Sequence, residues 1–408
     1  MSQSRESSLG DLAKPNKSLP LQSRDGYIEV SDPEAVKYIL VSDWRKFSRS
    51  ADYTFAKPLS DGNLLNDGEE WSRVRGILAP YFRSSDVMRQ NEETREQVRK
   101  GIDFLKSDVP IKVKPSESIM PLSINIISKI YLNDVAEEVA NDLAQCIHAY
   151  AKYPGFRGSW TKDFLSSPVH STGRLFWACR FRLKFAELMK KLQAHPSQLY
   201  TDLIELYNGD QKKVAQEIAI ILVAGSETTS ISCSWLLHCL GTYPDLQEKL
   251  YRDVSREESG GSAGELMQWY ISEALRLFPP IPNLLRRSEE QVEILGQPYE
   301  KNTLFFISIP HLHRNEEYWD EPHEFNPLRF KGFDFSNYYY LPFGAGPQKC
   351  LGRHLGMLKI DLVVREILRK FKIESVQIKD DRIRECISLQ TMSGTEISLI
   401  PRLSEALS

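Results

Sequence analysis

The chain has 408 residues, 41% of them apolar and 26% charged, ordinary globular usage that excludes a disordered or fibrous protein. Its 52 Lys and Arg against 55 Asp and Glu leave a net charge of −3, so no basic excess favours nucleic acid or an anionic membrane. The longest wholly apolar run, 218–224, covers seven residues, against the roughly 20 needed to cross a bilayer.

Residues 1–17 are polar and Ser-rich. They have no apolar stretch suited to a signal peptide or membrane anchor and read as a flexible N-terminus. Short strands are expected at 18–21 and 27–30 around a turn at Ser23-Arg24-Asp25-Gly26. Asp32 then caps a helix that Pro33 opens and that runs to Leu40. Pro58 and the pair Asp61-Gly62 mark 48–66 as a long loop. From Glu69 to about Leu266 helical periodicity dominates, chiefly over 117–132, 135–151, 172–194 and 211–243. Strands return at 292–295 and 304–309, followed by an irregular Pro- and aromatic-rich stretch over 320–343. A last helix, 355–371, precedes strands at 372–378 and 396–401. Without repeats, low-complexity tracts or a linker, 18–408 reads as a single domain, mainly α with small β-sheets. The expectation is a soluble, cytoplasmic monomer. Six cysteines show no CxxC spacing, which argues against a zinc ribbon or dithiol site.

The most informative segment is Phe343-Gly344-Ala345-Gly346-Pro347-Gln348-Lys349-Cys350-Leu351-Gly352. Two glycines and a proline force a tight turn and set one Cys just before an amphipathic helix. A helix N-terminus and unpaired N–H groups there favour thiolate, and a thiolate on a rigid loop suits an axial ligand of haem iron. A buried Cys in a structural turn is the bland alternative. A dinucleotide loop is not, since Lys349 stands where the third glycine of GxGxxG belongs. Glu273 and Arg276 share a helix face and can pair, as many surface ExxR pairs do. Ala224-Gly225-Ser226-Glu227-Thr228-Thr229 puts an acid beside an alcohol on a long apolar helix, costly unless bonded or working; a Thr-capped helix end is the alternative. Trp71 and Arg75 lie on a helix that, alone, would read as ordinary and amphipathic.

The loop resembles FGxGx(R/H)xCxG of the cytochrome P450 family, matching at Phe343, Gly344, Gly346, Cys350 and Gly352 and departing at Gln348. The resemblance extends from about Gly26 to Pro401, with motifs in family order, and implies the triangular, mostly helical fold of that family with haem between two central helices. It implies haem b (iron protoporphyrin IX), with Cys350 as metal ligand and Trp71, Arg75 and Arg286 at the propionates. The usual Arg or His contact at Gln348 would be missing. Gly225 would allow close approach to the haem face, and Glu227 with Thr228 would relay protons during dioxygen activation. Glu273, Arg276 and Arg329 (in Phe325-Asn326-Pro327-Leu328-Arg329-Phe330) would form a structural triad, in which a planar guanidinium suits a buried clamp. His313, Arg314 and Trp319 also fit the pattern.

The implied activity is monooxygenation of a medium-sized, partly apolar organic substrate by O2, in secondary metabolism. Electrons would come from a separate ferredoxin or flavodoxin with its reductase, since no flavin or nicotinamide module is visible. Lys349, Arg353 and Arg73 could form a basic docking face or be ordinary solvated charges. Substrate walls would come from 48–66, 153–174, the helix before Gly225, 281–285 and 390–394, including Tyr53, Phe55, Phe156, Trp160, Asn283, Leu284 and Met392. Alternatives are a peroxide-using enzyme, an atypical coupling or nitrating one, and a non-catalytic haem protein that binds a ligand.

Overall fold

A computed structural model describes residues 21–49 (save 25), 59, 62, 67–151 (save 106), 168–258, 265–376, 378, 388–389 and 394–402. The flexible N-terminus expected at 1–17, and most of the expected substrate walls at 48–66, 153–174 and 390–394, lie outside them.

The helices are α1 (Pro33–Lys37), α2 (Gly68–Leu78), α3 (Ser84–Arg89), α4 (Asn91–Ile102), α5 (Pro115–Tyr131), α6 (Ala140–Ala151) and α7 (Pro168–Ala194). They continue with α8 (Gln198–Leu206), α9 (Gln211–Thr242), α10 (Pro244–Glu258), α11 (Leu266–Leu277), α12 (Ile309–Leu312) and α13 (Arg353–Lys370). A first sheet joins β1 (Leu21–Arg24), β2 (Tyr27–Val30), β3 (Phe47–Ser48), β5 (Asn283–Ser288) and β8 (Leu304–Ser308) in the order β1-β2-β8-β5-β3. Within it β2 and β8 are parallel, pairing Ile28 with Phe305, and the other ladders are antiparallel. A second sheet has the order β4-β10-β9, built from β4 (Ile111–Val113), β9 (Phe371–Ser375) and β10 (Ile397–Pro401), and β6 (Val292–Ile294) pairs with β7 (Gln297–Tyr299).

Helix α9 is the axis of the molecule. Asp210 caps it, accepting from the N–H groups of Lys212 (3.0 Å) and Lys213 (3.2 Å), which satisfies donors that a helix start leaves open. Its first half (Val214, Ile218, Leu222) belongs to one apolar cluster with Met120, Ile124 and Ile127 of α5. Its second half (Cys233, Leu236, Leu240) joins another with Ile119 and Ile126 of α5 and Ile360, Val363 and Ile367 of α13. By length and composition α9 could cross a membrane, but 78% of its apolar stretch is buried within the protein. Between the two clusters lie Ser226, Thr229, Ser230 and Ser232. Their hydroxyls donate back to the carbonyls of Leu222 (2.6 Å), Gly225 (2.9 Å), Glu227 (2.8 Å) and Thr228 (2.8 Å). Polar side chains therefore cross the core bonded to their own helix.

The expected elements are present with shifted ends. The first strand is Leu21–Arg24, so Ser23 and Arg24 of the expected turn lie in it, and Gly26 takes φ +87°. Asp32 does cap α1, accepting from Ala35 N at 2.9 Å, but the α-helix stops at Lys37 and a π turn, Tyr38–Ser42, continues it. The helix expected from 135 starts only at Ala140, after Asn133 and Asp134 take φ of 52° and 62°. The sequence reading missed β5, whose Asn-Leu-Leu-Arg-Arg-Ser has none of the β-branched or aromatic residues that announce strands.

Candidate active site

The cysteine loop is held from within by Cys350 N donating to Phe343 O (2.8 Å), Gly344 N to Leu341 O (3.0 Å) and Lys349 N to Gly346 O (3.2 Å). Gly344 and Gly346 take φ of +66° and +68°, a region open to glycine and costly for other residues. At Gly346 space is equally restrictive, because a Cβ would stand 1.9 Å from Leu40 O in the π turn. Gly352 differs: its φ is −84° and a Cβ there would meet nothing within 4 Å. Gly346→Ala should therefore destabilise the fold by more than the ~1–2 kcal/mol of left-handed alanine alone. Gly352→Ala should cost less than about 0.5 kcal/mol, and urea denaturation of the two variants side by side checks the contrast.

Cys350 is accessible to solvent, yet burial among the surrounding protein raises its thiol, opposed by the Gly352 N–H and then by Arg75, Arg353 and Lys359. The helix end and nearby cations act in the expected direction, but desolvation outweighs them.

Two elements clamp the loop from outside. Arg75 of α2 donates from Nη2 to Lys349 O at 2.8 Å, and burial lowers its guanidinium pKa, partly offset by Cys350. Strand β5 brings Leu284 against the loop, its Cδ1 3.7 Å from where a Gly344 Cβ would sit. The same strand carries Arg286, buried at 5% exposure, with Nη1 donating to Leu285 O at 2.8 Å. Trp71, one turn before Arg75, is buried edge-on against Trp44 (5.5 Å), with the Arg49 guanidinium 5.7 Å from its ring. Arg49 also pairs with Asp67 (3.5 Å), and Asp67 accepts from Gln348 Nε2 at 3.2 Å. Arg49, within the expected wall segment 48–66, and Asp67, which the sequence reading did not single out, thus connect the Trp71 helix to Gln348 of the loop. Arg73, Lys349 and Arg353 are exposed.

Around the polar stretch of α9, Ala224 is exposed and Ile221, Gly225 and Thr228 are partly so, while their neighbours are buried. These positions share one helix face, so a single stripe of the core helix is open. Thr228 lies on it and donates from Oγ1 to Ala224 O at 2.7 Å. Glu227 points elsewhere: it is buried, accepts from Ser388 Oγ at 2.8 Å, and burial raises its carboxyl to about 7. Gly225 also has a packing role. Its missing side chain faces α5, where a Cβ would stand 2.7 Å from Ile127 Cδ1, so the glycine serves close helix packing.

The three triad residues meet in one cluster. Glu273 and Arg276 are fully buried, and Arg276 donates from Nε and Nη2 to the two carboxylate oxygens at 2.7 and 2.8 Å. Arg329 Nε reaches the same carboxylate at 3.0 Å. Remaining guanidinium donors of Arg276 go to the carbonyls of His313 (2.8 Å), Pro322 (2.6 Å) and Glu324 (3.0 Å), with Trp319 stacked at 5.0 Å. His313 ties this cluster to the cysteine loop. Its Nε2 accepts from Leu341 N at 2.8 Å, so its Nδ1 carries the proton donated to Arg276 O at 3.0 Å, and burial keeps the ring neutral by lowering its pKa to about 3. Among the described residues no cluster of His, Cys, Asp and Glu offers a multidentate metal site.

A sequence model of the family Cytochrome P450 matches residues 22–397. Among characterised proteins, the chain is 28% identical to cytochrome P450 3A18 of Rattus norvegicus, covering 85% of this chain and 78% of that one. It is 25% identical to cytochrome P450 3A40 of Oryzias latipes, covering 84% and 76%. Among solved structures, a 6-coordinated cytochrome P450 from Thermus thermophilus superimposes with a TM-score of 0.72 at 21% identity, over 94% of this chain and 95% of that one. Another, from a second strain of the same organism, gives 0.71 at 20% identity, over 91% and 89%. The chain belongs to the cytochrome P450 family, oxidoreductases that bind haem b and act as monooxygenases.

Proposed function

We propose that Cys350 is the protein ligand of the haem iron, that Arg75, Arg286 and Trp71 take the haem propionates, and that Phe343, Gly344, Gly346 and Gly352 shape the loop beneath the ring. The observation that carries this reading is an accessible thiol on a loop pinned by Arg75 and by two left-handed glycines. The residues fit the group. Bound iron would add positive charge beside this sulfur, which favours thiolate, and two guanidiniums on separate elements suit two carboxylates. Gly352, which no protein contact requires to be glycine, leaves room beside the sulfur. Bound haem supplies the chemistry of dioxygen activation.

What the chain itself contributes is position and protons. Thr228 presents its hydroxyl on the only stripe of α9 that is open around the polar stretch among the described residues. Glu227, with a pKa of about 7, is half-protonated near neutral pH and can both give and take a proton, the condition for an efficient general acid–base. The two side chains point apart, so transfer between them runs through water or a rotation of the Glu227 side chain away from Ser388. Arg75 and Arg286 hold charge at fixed points, and the triad keeps the loop in register.

The substrate is a medium-sized, partly apolar organic molecule of secondary metabolism, met in part by Asn283 and Leu284 at the start of β5. A separate ferredoxin or flavodoxin with its reductase supplies electrons. The experiment is a carbonyl difference spectrum of the reduced protein, which should show the thiolate-shifted Soret band and lose it in Cys350→His. Turnover with a ferredoxin or flavodoxin system, on substrates found by their Soret shift, should exceed turnover with peroxide. Thr228→Ala should consume electrons without forming product. A wild-type spectrum without the shifted band removes the ligand assignment, and equal peroxide turnover favours the peroxide-using alternative.

A further inference from the structure

Lys359 is among the largest side chains fully buried in the protein, at 1% exposure. It stands on α13 nine residues past Cys350, on the face that also carries Leu355 and Leu362. Among the described residues no carboxylate lies within ion-pair distance of its Nζ. Instead the ammonium donates to Gly225 O of α9 and to Ser123 Oγ of α5, both at 2.7 Å. Ser123 Oγ in turn donates to Gly225 O at 3.0 Å, and Thr229 Oγ1 donates to the same oxygen at 2.9 Å. Three side-chain donors from three helices thus converge on one carbonyl. A Cβ on residue 225 would only touch Nζ, at 4.0 Å, so the ammonium lies beside the glycine without requiring it.

Burying an ammonium without a carboxylate costs several kcal/mol unless its hydrogen bonds and surroundings offset the loss of water. Burial does lower the Lys359 pKa to about 7, opposed by Cys233 and Cys350. A methionine or leucine would fill this apolar position at no such cost. The groups that the lysine touches therefore indicate its use: one is the carbonyl three residues before Thr228, and the helix that carries the lysine begins just after the sulfur.

We propose that Lys359 is a positioning residue that fastens the Gly225 carbonyl of α9 to α5 and to the helix following Cys350, holding the Gly225–Thr229 turn so that Thr228 faces the open stripe. The inference rests on the reading of Cys350 and Thr228 given above. It assigns to one lysine the mechanical link between the sulfur side of the site and the proton-relay side. Because Gly225 O is bonded to both α5 and α13, α9 cannot turn about its axis there without breaking a charge-assisted bond.

The test compares haem-loaded wild type with Lys359→Met, which keeps the side chain's bulk and removes its donors, with Lys359→Gln, which keeps a donor, and with Ser123→Ala. Amide hydrogen exchange over Gly225–Thr229 should speed up about tenfold in Lys359→Met, the equivalent of one charged hydrogen bond, and recover in part in Lys359→Gln. The C–O stretching frequency of the carbon monoxide complex, which reads polar groups facing the bound gas, should shift in Lys359→Met while the thiolate-shifted Soret band stays. A lysine that served stability alone would leave that frequency unmoved. If Lys359→Met does not accumulate folded, Ser123→Ala removes one leg of the triangle and should show both changes at smaller size. Unchanged exchange and an unchanged frequency in whichever of these variants folds overturn the proposal. A wild type lacking the shifted band would instead refute the reading of Cys350, and hydrogen exchange would then decide the clamp by itself.

Discussion

Replacing Arg276 with alanine should cost about 3–5 kcal/mol, the range for breaking a buried ion pair by removing one partner, and should loosen the cysteine loop in whatever protein remains folded. Glu273 would keep only Arg329, whose side chain is 11% exposed, as its guanidinium partner at 3.0 Å. The carbonyls of His313, Pro322 and Glu324 would lose donors at 2.8, 2.6 and 3.0 Å, and each buried acceptor left unpaired adds its own penalty. Arg276→Lys should recover little, because an ammonium cannot reach two carboxylate oxygens and three carbonyls in one plane. Damage should travel along the backbone link from Arg276 O through the His313 ring to Leu341 N, two residues before Phe343. Urea denaturation gives the loss of stability, and the fraction of reduced protein showing the thiolate-shifted carbonyl band gives the loosening. A double variant, Glu273→Gln with Arg276→Met, should be less destabilised than the sum of the singles, since it removes both fully buried charges and leaves only Arg329, 11% exposed, without its carboxylate. A loss below about 1 kcal/mol for Arg276→Ala would mean that water enters and solvates Glu273, contrary to a closed cluster.

The parts of the fold legible in the sequence are those whose signal is local. Helix α9 is readable within a residue at its C-terminal end because its apolar positions recur at helical spacing. The cysteine loop is legible because glycines at positive φ, a proline and one thiol fall within ten residues. The triad needs more: Glu273 and Arg276 mark a helix face, but only the family pattern joins them to Arg329. What stays hidden depends on burial and on direction, which a linear pattern does not carry. Desolvation opposes the expected effect of the helix end on Cys350. The Gly225 backbone, not its sequence, decides that its open side faces Ile127. Strand β5 is held by its neighbours β8 and β3 and not by propensity. Lys359 does leave a trace, since it sits in phase with Leu355 and Leu362, but a lysine in an apolar stripe reads more simply as a side chain that bends out to water.

Glu227→Gln should make the protein more stable at pH 8 and less able to turn over. Burial raises the Glu227 carboxyl from 4.5 to about 7, so between those values the folded chain holds a proton that the unfolded chain has released. The contribution of Glu227 is therefore complete below about pH 4.5, falls as pH rises, and levels off above about pH 7; the full loss is about 3 kcal/mol as an upper bound. Glutamine is neutral throughout and its carbonyl oxygen can still accept from Ser388 Oγ, so the variant escapes that loss. Lys359, lowered to about 7, and His313, lowered to about 3, shift stability with pH in the opposite sense, but they are common to both proteins and cancel in the difference. The stability gap between variant and wild type, from denaturant unfolding at pH 5 and pH 8, should widen with pH. Glu227→Ala should not share the gain, because it leaves the Ser388 hydroxyl buried without its acceptor. The same neutrality removes the carboxyl's capacity to release and regain a proton, so product formed per electron should fall in Glu227→Gln as stability rises, the trade expected where a strained group is kept for use. Parallel stability curves for the two proteins across this range would show that the carboxyl is solvated in the fold and ionises normally, which would remove both its penalty and its case for moving protons near neutral pH.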